Sequence, residues 1–491
     1  MTEIFFKAVC YLITGLKNVI IINYKHKIYF YTAECNFLHG RTKKKGVFPV
    51  TNIPEQVKTA LNLLSGAGYE SYIVGGCVRD YLLGRIPNDY DITTNALPEE
   101  TLKVFKDYRC ISVGIKHGTV AVIINRMQLE ITTYRIDGEY SDKRHPESVT
   151  FSSSLRDDLS RRDFTVNAMA CSSSGQIADC FEGQKDLKNR VIRCVGDAAV
   201  RFDEDALRIM RAVRFASQLD FTVAEETKEQ IFALKDTLKM ISAERIRVEL
   251  DKLLCGKAVY RILTEYHEIL EVFIPEIAET VGFDQCSKYH AYTVWDHIAR
   301  SVMNAECIPA IRLTMLLHDI SKPECFRLDE EGAGHFKKHP EKGSVKAEKI
   351  LKRLKYDNKT IKTVTTLIKY HDFKFRRRQD VKRILSVTGK EIFDMLLMVQ
   401  YADGASKDGA CGRQLNDLEW VRRTAEDIIE KHECLSVKEL AVNGNQLMEA
   451  GFSGAQLGRI LNLMLEEVIE DRLENSSEVL MKFADERRND I

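Results

Sequence analysis

Two aspartates, Asp89 and Asp91, stand one residue apart behind a glycine pair, and this stretch constrains the fold of the 491-residue chain more than any other. On a β-strand, side chains alternate between the two faces, so positions 89 and 91 are predicted to project the same way. Two carboxylates held that close repel each other unless a cation lies between them, and hard oxygen ligands suit Mg²⁺. The pattern therefore predicts a strand that carries a magnesium site.

The glycine pair, Gly75 and Gly76, follows a short apolar run that is typical of the end of a strand. Glycine lets backbone N–H groups come close to a phosphate. Val78–Leu83 has the character of a helix start, whose N-terminus favours an anion. A glycine pair or an Asp-x-Asp pair alone is common in solvated turns. In this order, with Arg79 between them, the two indicate a site for nucleotidyl transfer.

The order of these motifs resembles that of the class II nucleotidyltransferases, which include the CCA-adding enzymes and bacterial poly(A) polymerases. Three further stretches follow in the family's order, namely Leu129–Arg135, Asp137–Pro146 and Arg161–Ala170. The first alternates as a strand, which would place Glu130 beside the aspartate pair as a third carboxylate. The second resembles the family's mobile loop next to the active site.

The resemblance implies a role for several residues of this head. Asp89 and Asp91 would bind Mg²⁺ and, with Glu130, form the catalytic carboxylate group. The triphosphate would be bound by Gly75, Gly76, Arg79 and Arg162, and the ribose by Asp163. The alternative for an Arg-Arg-Asp run standing alone is a solvated helix cap.

The stretch Phe202–Phe215 has helical character. Asp205, Arg208 and Arg211 recur at steps of three and are predicted to share one face, with Arg214 one step further along. An exposed ladder of salt bridges would give the same spacing. The resemblance implies instead a protein template in which Asp205 and Arg208 read the incoming base, supported by Arg211 and Arg214. Cytosine and adenine both present an amino donor beside a ring-nitrogen acceptor, whereas guanine and uracil reverse that arrangement.

A second group of candidate metal ligands lies within residues 290–403. It follows the spacing of an HD-type phosphohydrolase domain and comprises His297, His318, Asp319, His339, His371 and Asp403. Imidazole and carboxylate ligands together suit Mn²⁺, Fe²⁺, Co²⁺, Ni²⁺ or Zn²⁺, so a divalent transition metal is predicted, with Lys322 as a phosphate ligand. The resemblance implies hydrolysis of 2′,3′-cyclic or terminal phosphates, and the alternative is a helical scaffold that only supports tRNA.

The chain exceeds what one core usually supports, so two to four domains are expected. The predicted fold class is α+β, with a small mixed α/β nucleotidyltransferase head followed by an elongated all-α neck, HD body and tail. The predicted boundaries are an extension of unknown role at 1–50, the head at 51–198, the neck at 199–262, the HD body at 263–430 and the tail at 431–491.

Global charge gives no sign of nucleic-acid binding, because 72 basic residues balance 72 acidic ones. Basic residues cluster locally, and Lys369–Arg383, with its interleaved aromatic residues, is the better candidate for RNA contact. Thirteen cysteines without a CxxC pair predict reduced thiols in a cytoplasmic protein. No uncharged apolar stretch reaches membrane-spanning length, so no membrane is predicted as a partner. The predicted nucleic-acid partner is tRNA and not DNA.

Together these features predict a template-independent tRNA nucleotidyltransferase that builds or repairs the 3′-terminal CCA from CTP and ATP. Leu435–Gly444 and Gly451–Glu467 resemble the tRNA-binding tail of Gram-positive CCA-adding enzymes and favour CCA addition. The alternatives are a poly(A) polymerase, an enzyme that adds only CC or only A, an enzyme that is primarily an HD phosphohydrolase on RNA ends, and a non-catalytic RNA chaperone.

Overall fold

The computed structural model describes residues 19–24, 27–32, 53–87, 89–112, 114–138, 148–286, 292–407 and 411–488. The chain separates into two units, residues 1–47 and 48–491. In the first unit, β1 (Val19–Tyr24) and β2 (Lys27–Thr32) pair antiparallel. The second unit contains both groups of candidate site residues. The predicted loop at 137–146 lies outside the described residues from position 139 onward.

The described residues of the second unit contain one mixed sheet, three separate two-stranded pairs and an isolated bridge between Phe164 and Cys194. Its strands are β3 (Ser71–Val74), β4 (Asp91–Thr94), β5 (Arg109–Ile111), β6 (Thr119–Ile124), β7 (Met127–Thr133), β8 (Arg135–Asp137), β9 (Val149–Phe151), β10 (Met169–Cys171), β11 (Ile177–Asp179), β12 (Val191–Ile192), β13 (Thr222–Val223), β14 (Arg327–Leu328) and β15 (Gly334–His335). Seven of them form the sheet, in the order β11-β10-β3-β4-β7-β6-β5. In β6 alternate residues are buried, namely Val120, Val122 and Ile124, as expected for a strand with one face in the core.

The helices of the head pack against this sheet, and those of the remaining chain pack mainly on each other. The head helices are Glu55–Gly66, Gly76–Leu82, Pro98–Val104, Leu155–Ser160 and Gly183–Asn189. The helices that follow are Ala198–Glu204, Leu207–Leu219, Glu225–Leu234, Ala243–Leu254, Val259–Glu265, His267–Glu271, Val294–Asn304, Pro309–Leu317, Lys322–Cys325, His339–Arg353, Asn358–Tyr370, Arg378–Ala405, Cys411–Glu430, Gly444–Glu449, Ala455–Ile469 and Ser477–Glu486. The predicted α+β class, a mixed α/β head followed by a helical remainder, is confirmed.

Strand β4 is shorter than the sequence pattern predicts. It begins at Asp91, which pairs with Val74, the last residue of β3. Beyond Val74 the chain turns at Gly75, whose φ of +87° ends the strand. Position 89 therefore has no neighbouring strand on that side, and the prediction that both aspartates lie on one strand is wrong for Asp89, which lies in the preceding loop.

The predicted single helix across Phe202–Phe215 is interrupted at Asp205. One helix ends at Glu204 with extended backbone at Asp205, and the next begins at Leu207. The Asp205 carboxylate accepts the backbone N–H of Leu207 at 3.1 Å, a local bond that competes with helix formation. The expectation that Asp205 shares a helical face with Arg208 is therefore wrong.

The tail has its own apolar core, distinct from the one that continues to Ile428. Ion pairs connect it to the basic run predicted to contact RNA. Arg377 lies 3.3 Å from Glu470, Lys382 lies 2.7 Å from Glu433, and Arg383 also contacts Glu470. These cations neutralise acidic tail residues, which weakens the case for this run as an RNA-binding surface. Among the described helices, none is both long and apolar enough to cross a membrane.

Candidate active site and metal centre

Three carboxylates converge where β4 and β7 run side by side. These strands are parallel, and Asp91 is the register partner of Glu130, so the two side chains leave the same face of the sheet. Asp89, in the loop before β4, is close enough to Asp91 to repel it electrostatically. All three residues are exposed. Oxygen ligands in this arrangement suit Mg²⁺.

The surroundings of Asp91 disfavour its charged form. Partial removal from water raises the pKa of Asp91 to about 6, and repulsion by Asp89 and Glu130 acts in the same direction. The Arg162 guanidinium opposes the shift by attraction. A bound divalent cation would relieve this repulsion, so the arrangement is consistent with a metal site.

The turn between β3 and the next helix requires glycine. A Cβ at Gly75 would lie 2.8 Å from Arg162 Nη1, and the φ of +87° already disfavours other residues. The helix begins at Gly76, two residues earlier than predicted. Arg79 on this helix is buried, and it donates from Nη1 to Asn167 Oδ1 at 2.6 Å. Gly75, Arg79 and Arg162 therefore lie around one turn.

Asp163 is a buried acid of this head with several hydrogen-bond partners. Its Oδ2 accepts from Arg211 Nε at 2.8 Å, and its Oδ1 accepts from Asn167 Nδ2 at 3.0 Å. Burial alone would raise the pKa of Asp163, but Arg211 and the Asn167 amide hold the pKa at about 2. Asp163 is thus ionised across the physiological range and ties the Arg161–Ala170 motif to the helix that carries Arg211.

The side chains of the two predicted base-reading residues are hydrogen-bonded to other parts of the head and neck. Asp205 Oδ2 accepts from Arg245 Nη2 at 2.8 Å. Arg208 donates from Nη1 to Glu204 at 2.5 Å and from Nη2 to the Arg161 carbonyl at 3.1 Å. The structure therefore connects Arg208 to the motif that contains Arg162, while Asp205 is held by the neck helix.

The two predicted supporting arginines differ in their partners. Arg211 pairs with Asp163, whereas Arg214 is buried and donates from Nε to Glu249 at 2.7 Å. Both guanidinium groups lie against the Phe215 ring. Sequence reasoning did not single out Asn167, the partner of Arg79, although it lies within the Arg161–Ala170 motif.

The second group of predicted ligands converges from five separate helical segments. His297 lies within Val294–Asn304, His318 and His371 end two further helices, His339 begins a fourth, and Asp403 is near the end of Arg378–Ala405. Asp319 follows His318 directly. All six predicted ligands are buried. Five of them form two overlapping clusters of metal-binding size, one of His297, His318 and Asp403 and one of His318, Asp319 and His371.

The ring nitrogens of this centre face inward. His297 Nε2 lies 3.0 Å from Asp403 Oδ1 and 3.4 Å from His318 Nε2. His339 Nε2 lies 3.2 Å from His371 Nε2. Adjacent imidazoles cannot all satisfy each other by hydrogen bonding, because a neutral ring has only one N–H. A shared cation would satisfy them.

The hydrogen bonds at Nδ1, the ring nitrogen that faces away from the centre, determine the tautomer of three of these histidines. His318, His339 and His371 each place Nδ1 2.7–2.8 Å from a backbone carbonyl, where an Nδ1–H donates. That bond leaves the Nε2 lone pair directed at the centre, as in histidines that ligate metals. The residues therefore fit a transition metal bound by imidazole and carboxylate.

Charge at the centre supports the same interpretation. Burial lowers the pKa of His297 and His339 and brings the pKa of His371 to about 3, so these rings are neutral, the form that ligates metals. Burial opposes charge on His318 too, but Asp319 and Asp403 raise its pKa to about 9. Without a bound cation, positive charge on His318, Lys322 and Lys407 would balance the two aspartates.

A cavity of about 470 Å³ opens onto this centre. Its lining includes five lysines, namely Lys322, Lys337, Lys338, Lys369 and Lys407. Lys322 lies 2.7 Å from Asp319, and Lys407 lies 2.5 Å from Asp403. The cavity is suited to an anion.

Comparisons with known proteins agree with the head geometry. A family described as the poly A polymerase head domain matches residues 71–193. The CCA-adding enzyme of Enterococcus faecalis is 34% identical over 451 residues, covering 90% of this chain and 98% of that enzyme. The chain belongs to the CCA-adding enzyme family. The CCA-adding enzyme of Streptococcus thermophilus is 35% identical, covering 88% of this chain and 97% of that enzyme.

Solved CCA-adding enzymes share the fold. The Bacillus stearothermophilus CCA-adding enzyme in complex with CTP superposes with a TM-score of 0.66 at 28% identity, covering 90% of this chain and all of that one. Two other family descriptions match the helical part, the probable RNA- and SrmB-binding site of polymerase A at residues 220–280 and the putative tRNA nucleotidyltransferase domain 2 at 341–484. His371 and Asp403 fall within the last match, and the other four candidate ligands of the second centre fall outside all three.

Magnesium binding by this CCA-adding enzyme should depend on pH. A raised pKa favours the protonated form, so the Asp91 carboxylate is lost as the pH falls through about 6. The Mg²⁺ concentration that gives half-maximal nucleotide addition should therefore rise about tenfold between pH 7 and pH 5. Initial rates across a Mg²⁺ titration at each pH test this, and an unchanged requirement would contradict the assignment of Asp91 as a ligand.

Proposed function

We propose that this protein builds or repairs the 3′-terminal CCA of tRNA from CTP and ATP without a nucleic-acid template. The observation that carries the proposal is the group Asp89, Asp91 and Glu130 beside the Gly75 turn and Arg162, in a chain of the CCA-adding enzyme family. Asp89 and Asp91 hold Mg²⁺, which when bound lowers the pKa of the primer 3′-hydroxyl and neutralises charge on the pyrophosphate. Glu130 completes the carboxylate group.

Binding of the nucleoside triphosphate falls to the turn around Gly75 and Gly76. Arg79 and Arg162 balance the triphosphate charge, and Asp163 contacts the ribose. Support comes from the position of the Arg162 guanidinium, which lies at the Gly75 backbone and attracts the Asp91 carboxylate. The residues proposed to bind the triphosphate are therefore close to the residues proposed to bind the metal.

Base selection falls to Asp205 and Arg208. Asp205 accepts the exocyclic amino group of cytosine or adenine, and Arg208 donates to the neighbouring ring nitrogen. Before the base binds, Arg245 holds the Asp205 carboxylate in place and Glu204 holds the Arg208 guanidinium. The incoming base then replaces Arg245 and Glu204 as the hydrogen-bond partner. Guanine and uracil would leave both side chains unpaired, which a buried site rejects by about 10⁴-fold.

The helical remainder binds tRNA through shape and phosphate contacts rather than through sequence. We assign the neck to residues 199–262, the HD body to 263–430 and the tail to 431–491. The separate apolar core between Cys434 and Ala484 supports the last boundary. A cytoplasmic location is consistent with the described cysteines, all of which are free thiols.

The test is incubation with tRNA truncated at its 3′ end and CTP, ATP or both, in the presence of Mg²⁺. Addition of two C residues with CTP and of a final A when ATP is also present supports the proposal. A long A tail indicates a poly(A) polymerase, and addition of only CC or only A indicates a specialised enzyme. No addition contradicts all of these polymerase assignments.

A second function, phosphoester hydrolysis at the buried histidine centre, is supported by one specific observation. Three imidazoles are tied through Nδ1 to backbone carbonyls, which directs their Nε2 atoms into the centre with Asp319 and Asp403. Mn²⁺, Fe²⁺, Co²⁺, Ni²⁺ and Zn²⁺ all fit these ligands, and such an ion when bound activates water. Lys322 and the other cavity lysines attract the phosphate.

We propose 2′,3′-cyclic or terminal phosphates at RNA ends as the substrates of this second centre. Metal analysis of the purified protein and hydrolysis of an RNA with a 2′,3′-cyclic phosphate end, with Ni²⁺ or Mn²⁺ added, test the assignment. Bound metal without hydrolysis would indicate the alternative, a metal-stabilised scaffold that supports tRNA.

A further inference from the structure

A buried carboxylate beneath the nucleotide site has no role in the mechanism above. Asp158 lies on helix Leu155–Ser160 and is fully buried. An ionised carboxylate is costly to bury unless charged or hydrogen-bonding groups compensate it. The groups that contact Asp158 therefore indicate why a carboxylate is buried at this position.

The two oxygens of Asp158 hold different groups. Oδ1 accepts from Arg161 Nε at 2.9 Å and from Arg161 Nη2 at 2.8 Å. Oδ2 accepts from Thr93 Oγ1 at 3.1 Å and lies 3.6 Å from Arg162 Nη2. One carboxylate thus connects two adjacent arginines to strand β4.

These partners belong to the metal and triphosphate parts of the site. Thr93 follows Asp91 by two residues on β4, so both side chains leave the same face of the strand. Arg162 reaches the backbone of Gly75 and attracts the Asp91 carboxylate. Displacement of Arg162 would therefore change both the triphosphate site and the electrostatics at Asp91.

The arginine pair needs such a carboxylate. Arg161 and Arg162 are neighbours in sequence, and each guanidinium disfavours the charge of the other. Asp158 compensates both positive charges and fixes their directions.

We propose that Asp158 is a positioning residue for nucleotide binding, which holds Arg162 towards the triphosphate in register with the metal-binding strand. The inference rests on the proposed use of CTP and ATP by this head. Because Asp158 acts on the triphosphate side, its loss should weaken both nucleotides by the same factor. A residue of the base pocket would instead change the preference between them.

The test is Asp158→Asn, which keeps the size of the side chain and removes its charge. The dissociation constants and KM values for CTP and for ATP should both rise about tenfold to a hundredfold, since small displacements of binding groups have effects of that size. Their ratio and the KM for truncated tRNA should stay within about twofold of wild type.

A matched control is available in the same head. Asp186 is also buried, and its carboxylate likewise accepts from a threonine, Thr165 Oγ1 at 2.7 Å, and an arginine, Arg193 Nε at 3.2 Å. Asp186→Asn should leave the affinity for CTP and ATP unchanged. An equal loss in both variants would show a general effect on folding and overturn the proposal.

A milder variant keeps the test decisive if Asp158→Asn does not fold. Thr93→Val removes one hydrogen bond to Asp158 and should weaken CTP and ATP binding together by about twofold to tenfold. Unchanged binding in the folded variants overturns the inference.

Direct measurement of CTP binding distinguishes failure of this inference from failure of the proposed function. Wild-type protein that binds CTP but does not extend tRNA would contradict the proposed function alone. Wild-type protein that does not bind CTP would contradict both.

Discussion

Alanine in place of Asp91 is expected to lower the rate of CTP and ATP addition to truncated tRNA by at least about a thousandfold. Asp91 and Glu130 are register partners on β4 and β7, and Asp89 adds a third carboxylate from the preceding loop. Removal of Asp91 would take away the central oxygen ligand of the proposed Mg²⁺ site. Asp89→Ala should have the same effect. Single-turnover rates with labelled CTP, at saturating tRNA and Mg²⁺, measure the loss.

The affinity for tRNA separates this effect from unfolding. Both alanine variants should bind truncated tRNA within about twofold of wild type, because the proposed phosphate contacts lie in the helical part. Asp107, an exposed aspartate in the loop before β5 of the same head, provides the control, and Asp107→Ala should keep the full rate. A rate above about a tenth of wild type in folded Asp91→Ala would contradict the assignment of this carboxylate.

Glu130 illustrates what strand periodicity predicts well. An alternating run places its side chains on known faces, and the family motif order indicated which run lies beside the aspartates. The structure has Glu130 directly opposite Asp91. The prediction depended on β7 being parallel to β4, a pairing that alternation alone does not determine.

Asp89 and Asp205 illustrate where local patterns fail. A strand continues only while a neighbour offers backbone groups, and β3 ends at Gly75, so Asp89 falls in a loop. A step of three residues suggested one helix, but Asp205 bonds the Leu207 N–H and pairs with Arg245, forty residues further along. The first interruption depends on where the neighbouring strand ends, and the second combines the local Asp205–Leu207 bond with the distant Arg245 pair.

In the helical part too, the sequence pattern predicts the candidate residues but not the tertiary contacts that they make. Spacing identified His318, Asp319 and the other candidate ligands, but only the tertiary packing of five helical segments brings their atoms within a few ångströms of one another. The basic run at Lys369–Arg383 is predicted to contact RNA because aromatic residues interleave its cations. Glu433 and Glu470 approach it only after folding.

The second large effect is expected at the histidine centre. Asp319→Asn should reduce the transition metal bound by the purified protein from about one ion per chain to less than about a tenth of that. Asp319 lies within ion-pair distance of His318, His339 and Lys322. Lys322 Nζ lies 2.7 Å and His318 Nε2 3.1 Å from Asp319 Oδ2, so groups that carry or attract positive charge surround this carboxylate. Elemental analysis after dialysis measures the change.

The two activities should separate in this variant. Asp319→Asn should lose hydrolysis of a 2′,3′-cyclic phosphate end, whereas nucleotide addition should stay within about twofold of wild type, because the head carboxylates lie on different elements. His339→Ala should give the same result by removing an imidazole ligand. His267 is the control, since it pairs with Glu271 outside the centre, and His267→Ala should retain its metal. Full metal content in both Asp319→Asn and His339→Ala would refute the proposed metal site. Two ligands that face one another across the site cannot both be dispensable if they hold the ion.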